Sequence, residues 1–308
     1  MTITVDCMFS VDLMVDDPVK TAGLLAERLG LPSLRPTWTD STIEHLAYMR
    51  AYHPFSHAAP TLIEIIQPSP GLPAVGGQTA GRPVKTHATV FVTKTFPEVM
   101  DNLEARGLRH FSMPDPGDGL ARCFVGVQSL DARSPDSQYD PGVDGHLFME
   151  IISWEGTTLA RRDTIPQELS DGSITRVVAR SYLVGDIDQT LTQLHQILQW
   201  DQASQRPSSS ESGWYATLQP LMPTSAALEL IQPEGTGGRH GEFFSRWGVG
   251  PHAIRFGVRG LDAKALDLGR RGTGFTRSDT PGGDPVLLVD ESELDGIIVE
   301  FVEDPLGL

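Results

Sequence analysis

The chain has 308 residues, of which 39% are hydrophobic and 21% charged, so it can bury the cores of roughly two domains of ordinary size. Its formal net charge of −16 would repel nucleic acids and anionic membranes, and we predict neither as a partner. Two cysteines, Cys7 and Cys123, are too few for a cysteine metal motif or a disulfide framework. Because the sequence shows no signal-peptide pattern and no apolar run of membrane-spanning length, we expect a cytoplasmic protein.

The predicted helices each follow a strand-like run. The run 8–15 precedes a helix signal that opens at Asp17, a residue suited to the N-cap, and ends at Gly30. The run 87–93 precedes a capping-box pattern that opens at Thr95. Two further pairs have strands at 177–184 and 252–258 and helices that open near Asp186 and Asp262.

Another apolar run follows each of these helices. The four runs lie at 61–66, 147–152, 226–231 and 297–302. Strand, helix and further strands, four times in this order, form an internal repeat. The polar stretch 155–173 is predicted to join two halves, 1–158 and 172–308. The serine-rich segment 204–212 is predicted to be a mobile loop within the second half.

Each of the four closing runs contains one glutamate between apolar residues. The four are Glu64, Glu150, Glu229 and Glu300. A carboxylate is costly to bury among apolar side chains unless it is paired, hydrogen-bonded or bound to a cation. Their recurrence at equivalent places therefore indicates a shared role.

Two histidines extend this pattern. Glu64 and His87 are 23 residues apart, and so are Glu229 and His252. One histidine and two glutamates per half are oxygen and imidazole donors that suit a divalent ion such as Zn, Ni, Mn, Mg or Fe. The two predicted ligand sets are Glu64, His87 and Glu150, and Glu229, His252 and Glu300.

The strand that opens with histidine and the closing strand of hydrophobic-Glu-hydrophobic type resemble the vicinal oxygen chelate superfamily, which includes glyoxalases, bleomycin-resistance proteins and extradiol dioxygenases. Asp295-Gly296 before Glu300 resembles that family's turn before its last metal glutamate, and Asp144-Gly145 before Glu150 is similar with one residue more. The resemblance implies an α+β fold of four βαβββ modules in two tandem glyoxalase-like domains. It also implies that the four glutamates and two histidines project into cups and bind metal.

The first strands of modules one and three depart from the family pattern. They offer Ser10 and Ala179 where a complete site would have histidine, and His45 is an alternative source of the missing ligand. Strand alternation leaves open whether His252 or Ala253 faces the cup. We therefore predict that at most one cup is a working site and that the first half is the better candidate.

We predict a divalent-metal-dependent isomerase, epimerase or lyase that acts on a small oxygenated metabolite. The metal would stabilise an enolate or oxyanion while Glu64 or Glu150 moves a proton. The alternatives are a metal-free small-molecule binder of the bleomycin-resistance kind and a ring-cleaving dioxygenase, although that chemistry uses two histidines and one carboxylate. A homodimer and both ways of pairing the modules, within each half or between the halves, stay open.

Overall fold

The computed structural model describes residues 2–31, 37–38, 46–52, 60–68, 88–113, 120–131, 134–157, 169–200 and 205–306. The predicted α+β fold of four βαβββ modules is confirmed, with two modules in each half. The first half contains β1 (Cys7–Met14), α1 (Pro18–Leu29), β2 (Thr37–Trp38), β3 (Leu46–Tyr52), β4 (Leu62–Pro68), β5 (Thr89–Thr93), α2 (Phe96–Ala105), β6 (His110–Met113), β7 (Arg122–Val125), α3 (Pro141–Asp144) and β8 (Met149–Ser153). The second half contains β9 (Ile174–Leu183), α4 (Ile187–Leu198), β10 (Arg206–Pro207), β11 (Gly213–Leu218), β12 (Ala227–Pro233), α5 (Gly238–Trp247), β13 (Gly250–Val258), α6 (Leu261–Arg270), β14 (Thr276–Asp279), β15 (Pro285–Val289) and β16 (Ile298–Glu303).

Each half forms one curled eight-stranded sheet. The strand order is β2-β3-β4-β1-β5-β8-β7-β6 in the first sheet and β10-β11-β12-β9-β13-β16-β15-β14 in the second. The two modules of a half join at the centre of its sheet, where β1 is antiparallel to β5 and β9 is antiparallel to β13. The modules therefore pair within each half. The change from one sheet to the other falls between Ser153 and Ile174. The predicted domain bounds themselves stay a prediction, because residues 158–168 lie outside the described part of the chain.

The first helix of each half begins in the same way. The Asp17 carboxylate accepts a hydrogen bond from the backbone N–H of Lys20, and Asp186 accepts one from Gln189, both at 2.9 Å. Helix α1 ends at Gly30, whose φ of 66° lies in the left-handed region that glycine adopts most readily. In the described part of the chain, no helix is long and apolar enough to cross a membrane.

The capping box predicted at Thr95 is wrong, because the hydrogen bond expected from the Thr95 side chain does not form. Thr95 precedes α2, but its side chain makes no cap bond to that helix. Its hydroxyl oxygen instead accepts a hydrogen bond from the backbone N–H of Thr4 at 2.9 Å. The chain that leads into β1 is thereby fixed to the start of α2.

Helix α5 was not predicted from the sequence. It follows Gly237, which has no side chain with which to cap it. The Glu211 carboxylate serves instead, since it accepts hydrogen bonds from the backbone N–H groups of Arg239 and His240, both at 3.1 Å. Glu211 belongs to the segment 204–212 that was expected to be a loop, and part of that segment forms β10.

One hydrophobic core is shared by the two halves. Phe91 of the first half packs edge-on against Trp200 of the second, with ring centroids 5.4 Å apart, and the hydroxyl groups of Thr89 and Tyr182 hydrogen-bond at 2.5 Å. Successive strand residues point to opposite faces of a sheet. Residues that alternate with the shared-core residues therefore lie on the other face of each sheet, which we call its outer face.

Candidate functional site

All four candidate glutamates lie on the outer faces. Glu64, for example, stands between Ile63 and Ile65, which both belong to the shared core. We call the outer face of the first sheet the first cup and that of the second sheet the second cup. The other flanking core residues are Met149 and Ile151 for Glu150, Leu228 and Leu230 for Glu229, and Val299 and Phe301 for Glu300.

The strand register adds a carboxylate to the first cup. In the parallel pair β1·β4, Asp12 lies beside Glu64, whereas Ser10 lies beside Leu62. The first-strand residue beside Glu64 is therefore Asp12, a carboxylate that the sequence analysis did not single out. Asp12 is only 1% exposed and accepts hydrogen bonds from the Ser10 hydroxyl at 2.6 Å and the Ala88 N–H at 3.2 Å.

The carboxyl groups of the first cup repel one another. Burial raises the pKa of Asp12 well above its ordinary value, and the charges of Glu64 and Glu150 raise it further, while the hydrogen bond from Ser10 opposes them. The side chain of Glu64 also lies close enough to Asp12 to favour its protonated form, which raises the pKa of Asp12 further. Glu150 has an ion pair with Arg122, but at 3.9 Å it is long. A bound cation would relieve this repulsion.

The donor set of the first cup fits a hard divalent ion, because such ions prefer carboxylate oxygens. Asp12, Glu64 and Glu150 are the described residues that would hold it. Across the described residues, no three His, Cys, Asp or Glu side chains already surround a single point as a finished metal site would. His87 and His45, the imidazoles expected from the sequence, lie outside the described residues.

A guanidinium group occupies the corresponding place in the second cup. The Arg255 side chain is buried and donates hydrogen bonds to both glutamates of this cup. Its Nη1 binds Glu229, and its Nε and Nη2 bind Glu300 at 2.9 and 2.7 Å. The two carboxylates in turn raise the pKa of Arg255 above its ordinary value, although burial opposes this. Glu229 and Glu300 therefore do not fit a divalent ion, since their cation is already supplied by the chain.

Helix α5 adds a second arginine to this network. Arg239 Nη2 donates to the free oxygen of Glu300 at 2.7 Å, and Arg239 Nε lies 3.7 Å from Glu211. Burial alone would raise the pKa of Glu300, but the charges of Arg255 and Arg239 hold it well below its ordinary value. Glu300 therefore stays ionised inside the protein.

His252 lies on the side of the sheet that carries Glu300, at an irregularity in the β9·β13 pairing. The centroid of its ring is 5.0 Å from the ring centroids of His240 and Phe243 on α5. Its Nδ1 is 3.3 Å from the Ser181 hydroxyl. Burial lowers the pKa of His252 well below its ordinary value, and the positive charges of α5 lower it further. His252 is therefore a neutral group in the second cup.

The two cups differ at the first-strand position. Ser181 lies beside Glu229 in the same parallel register in which Asp12 lies beside Glu64. The equivalent of Asp12 is thus Ser181, just as the equivalent of Ser10 is Ala179. The second cup lacks the third carboxylate at this position.

The cups also differ at the neighbouring central strand. Val90 lies beside Glu150 in β5·β8, and Arg255 lies beside Glu300 in β13·β16. An apolar side chain in the first cup therefore takes the place of the arginine that neutralises the glutamates of the second cup.

Sequence reasoning missed both Asp12 and Arg255, although each is a charged residue inside an apolar strand, as the four glutamates are.

An aromatic wall lies next to Glu150. Phe124 is directly across from Glu150 in the antiparallel pair β7·β8, so both side chains share one face. Phe148 stands 6.3 Å from Phe124 and 5.1 Å from Tyr139, measured between ring centroids. The wall continues with Val90, Val92, Ile152, Phe9, Phe111, Trp154 and Met222.

The Asp-Gly turn before β8 fixes the start of the strand that carries Glu150. The buried Asp144 carboxylate accepts hydrogen bonds from the Tyr139 hydroxyl and from the backbone N–H of Met149, the latter at 2.8 Å. Burial raises the pKa of Asp144 to about 7, although these hydrogen bonds oppose the shift. The corresponding Asp295 of the second half is instead exposed and forms an ion pair with Lys20.

Structural comparison found solved structures that are similar to this chain. A triple mutant of 4-hydroxymandelate synthase from Streptomyces coelicolor is 14% identical, with a TM-score of 0.63 over 98% of this chain and 93% of that chain. The Mn(II)-bound glyoxalase from Novosphingobium aromaticivorans is 13% identical, with a TM-score of 0.58 over 98% of this chain and 83% of that chain. Methylmalonyl-CoA epimerase from Mycobacterium tuberculosis is 19% identical, with a TM-score of 0.40 over 46% of this chain and 93% of that chain. No protein-family model matches the chain, and no curated protein matches it significantly in sequence.

Proposed function

We propose that this chain, which has the fold of the vicinal oxygen chelate superfamily, is a divalent-metal-dependent isomerase, epimerase or lyase whose working site is the first cup. One observation carries the proposal. Asp12, Glu64 and Glu150 lie on the same face of the first sheet, where the charges of Glu64 and Glu150 raise the pKa of the buried Asp12. The second cup has the same scaffold but satisfies its glutamates with Arg255.

The metal would be Zn, Ni, Mn, Mg or Fe, held by Asp12, Glu64 and Glu150. His87 would join them as the imidazole ligand, since it directly precedes Ala88, whose N–H binds Asp12. When bound, such an ion supplies Lewis acidity to substrate oxygens and keeps neighbouring carboxylates ionised.

Glu64 would serve as the general base or as a third ligand. It is half-buried and lies beside Asp12 in the β1·β4 register. As a general base, Glu64 would remove a proton next to a carbonyl group of the substrate. Glu150 is more deeply buried, at 7% exposure, which suits a ligand.

The substrate would be a small oxygenated metabolite with an apolar or aromatic part. The oxygens would lie at the carboxylates, and the apolar part would lie against Phe124 and Phe148 beside Glu150. The donor set of carboxylates with one histidine favours proton transfer over oxygen activation, because ring-cleaving enzymes of this fold use two histidines and one carboxylate. Isomerase or lyase chemistry therefore suits this cup better than ring cleavage.

Metal stoichiometry tests this proposal. The wild-type chain, stripped with chelator and dialysed against Mn or Zn, should bind one equivalent, measured by elemental analysis. Glu150→Gln keeps the shape of the side chain but removes its charge, so it should lose the metal while circular dichroism stays unchanged. The matched control is Glu229→Gln, the same change on a closing strand of the second cup, which should keep the full equivalent.

Two outcomes would overturn the proposal. One is a wild-type chain that binds no divalent ion at millimolar concentration. The other is a Glu150→Gln variant that binds metal as the wild type does.

A further inference from the structure

Helix α5 lies over part of the second cup. Its Arg239 donates a hydrogen bond to Glu300 at 2.7 Å, and the rings of His240 and Phe243 pack edge-on against the ring of His252. Glu300 and His252 are both buried, although they stand on the outer face of the sheet. The helix therefore shields this part of the cup from solvent.

Little apolar surface holds α5 in place. Two of its ten residues, His240 and Gly241, are buried, whereas α4 buries six of its twelve, among them Leu194 and Ile197. The aromatic side chains of α5 that face Leu183, Tyr215 and Ile231 are only partly buried. Elements with few buried apolar contacts are the ones that open most readily in a native protein.

The contact between α5 and the sheet is also loosely packed. It contains a cavity of about 100 Å³. Leu288, which lines this cavity, is directly across from Glu300 in β15·β16, so the cavity lies on the outer face. A gap of this size deprives the side chains around it of dispersion contacts. Its lining includes Arg239, Phe243 and Arg246 from the helix and His252, Leu288 and Ile298 from the sheet.

Charged contacts from separate segments fasten the helix instead. Glu211 caps its first turn, and the Oε2 atom of Glu211 lies 3.2 Å from Nδ1 of His240. Near the other end, Arg246 forms an ion pair with Glu291. These contacts join the helix to the β10–β11 connection and to the turn before β16, so they can break without disturbing a strand.

Glycines flank the helix on both sides. Gly235 has a φ of 81°, and Gly248 has a φ of 70° with a ψ of −158°, a combination that is essentially restricted to glycine. A side chain at either position would meet no atom of the described residues within 4 Å, so close packing does not explain these glycines. They give the chain at both ends of α5 the freedom to rotate.

We propose that α5 is a hinged cover of the second cup, which opens as a unit while both sheets stay folded. Opening exposes His252 and Glu300 to solvent, and closing buries them again. This inference does not depend on the proposed metal centre in the first cup, so either can fail while the other stands.

Amide hydrogen exchange of the intact chain tests whether α5 opens on its own. The amides of α5 should exchange at least about 100-fold faster than those of α4. Low concentrations of urea should speed the exchange of α4 but leave that of α5 almost unchanged, because a local opening exposes little surface. The same urea dependence for both helices would overturn the proposal.

The accessibility of the covered face tests whether this opening uncovers the cup. The thiol in His252→Cys should react with iodoacetamide at least about 100-fold faster than the buried Cys7 of the first cup, as located by mass spectrometry. Equal rates for the two thiols would mean that the covered face is reached only by global unfolding, which would contradict the proposal.

A pair of cap substitutions in the His252→Cys background identifies the fastening. Glu211→Ala removes the cap of α5 and should speed the reaction of this thiol at least about fivefold. The matched control is Asp186→Ala, which removes the cap of α4 and should leave the rate within about twofold, since α4 stays folded when α5 opens. An unchanged rate in Glu211→Ala, or an equal rise in Asp186→Ala, would overturn the assignment of α5 as a separate cover.

Discussion

The first and second cups share a scaffold and differ in their electrostatics. The first has Asp12 and Val90 where the second has Ser181 and Arg255. In the first cup Asp12, Glu64 and Glu150 interact electrostatically, and Arg122 lies 3.9 Å from Glu150, whereas in the second cup Glu229 and Glu300 are each bound by a guanidinium. Two residue differences at equivalent positions therefore distinguish the cup that we propose to bind metal from the cup whose cation is an arginine of the chain.

Removal of the arginine should have the largest effect on stability. Arg255→Met leaves Glu229 without its bonded partner and Glu300 with only one arginine, so the free energy of unfolding should fall by about 3–5 kcal/mol. Urea denaturation followed by circular dichroism measures this change. The variant that combines Arg255→Met with Glu229→Gln and Glu300→Gln should recover most of the loss, because no buried charge is left unpaired. A loss below about 1 kcal/mol for Arg255→Met would contradict the assigned role.

The two Asp-Gly turns should differ in their pH dependence. Burial raises the pKa of Asp144 to about 7, so the folded chain retains a proton that the unfolded chain releases near its ordinary value of 3.8. The stability that this proton provides is complete below about pH 4 and is lost as the pH rises through about 7. Relative to Asp144→Asn, the wild type should therefore lose up to about 1.4 kcal/mol per pH unit within this window.

The control for this pH profile is Asp295→Asn in the exposed turn of the second half. Its profile should run parallel to that of the wild type, since Asp295 is half-exposed and only forms a surface ion pair with Lys20. Parallel profiles for Asp144→Asn and the wild type would show that Asp144 does not titrate in this range.

Substitution of the helix caps should change the free energy of unfolding least, and by a similar amount in the two halves. Asp17→Ala and Asp186→Ala each remove one hydrogen bond of 2.9 Å at the start of the first helix of a half. Each should lower the free energy of unfolding by roughly 1 kcal/mol, measured by the same urea titration. If one substitution cost several times more than the other, the two halves would not be equivalent in their scaffold.

The repeated scaffold could be predicted because it depends on local patterns. Apolar runs located the closing strands, and Asp17 and Gly30 marked the ends of α1 as the structure has them. The four glutamates could be assigned to one face because each is flanked by apolar residues on both sides.

The contents of the cups depend on register and on distant contacts, which the sequence does not display. Asp12 lies beside Glu64 because of the parallel register of β1 with β4, and the sequence pattern did not display that register. Helix α5 is capped by Glu211 from a different segment, so it carries no start signal of its own. The glutamates were singled out because a charged residue among apolar strand residues needs a partner. The same reasoning, applied to positively charged residues, would have singled out Arg255.

The central claim is that an arginine beside the last-strand glutamate decides whether a cup holds metal, and Val90→Arg tests it most directly. The substitution copies Arg255 into the first cup, where Glu150 would be its partner, and β13 shows that such a strand can accommodate arginine. Metal titration by calorimetry should show one equivalent bound by the wild type and by Val90→Met, and at least tenfold weaker binding by Val90→Arg. Wild-type affinity in Val90→Arg, or two equivalents bound by the wild type, would contradict the account.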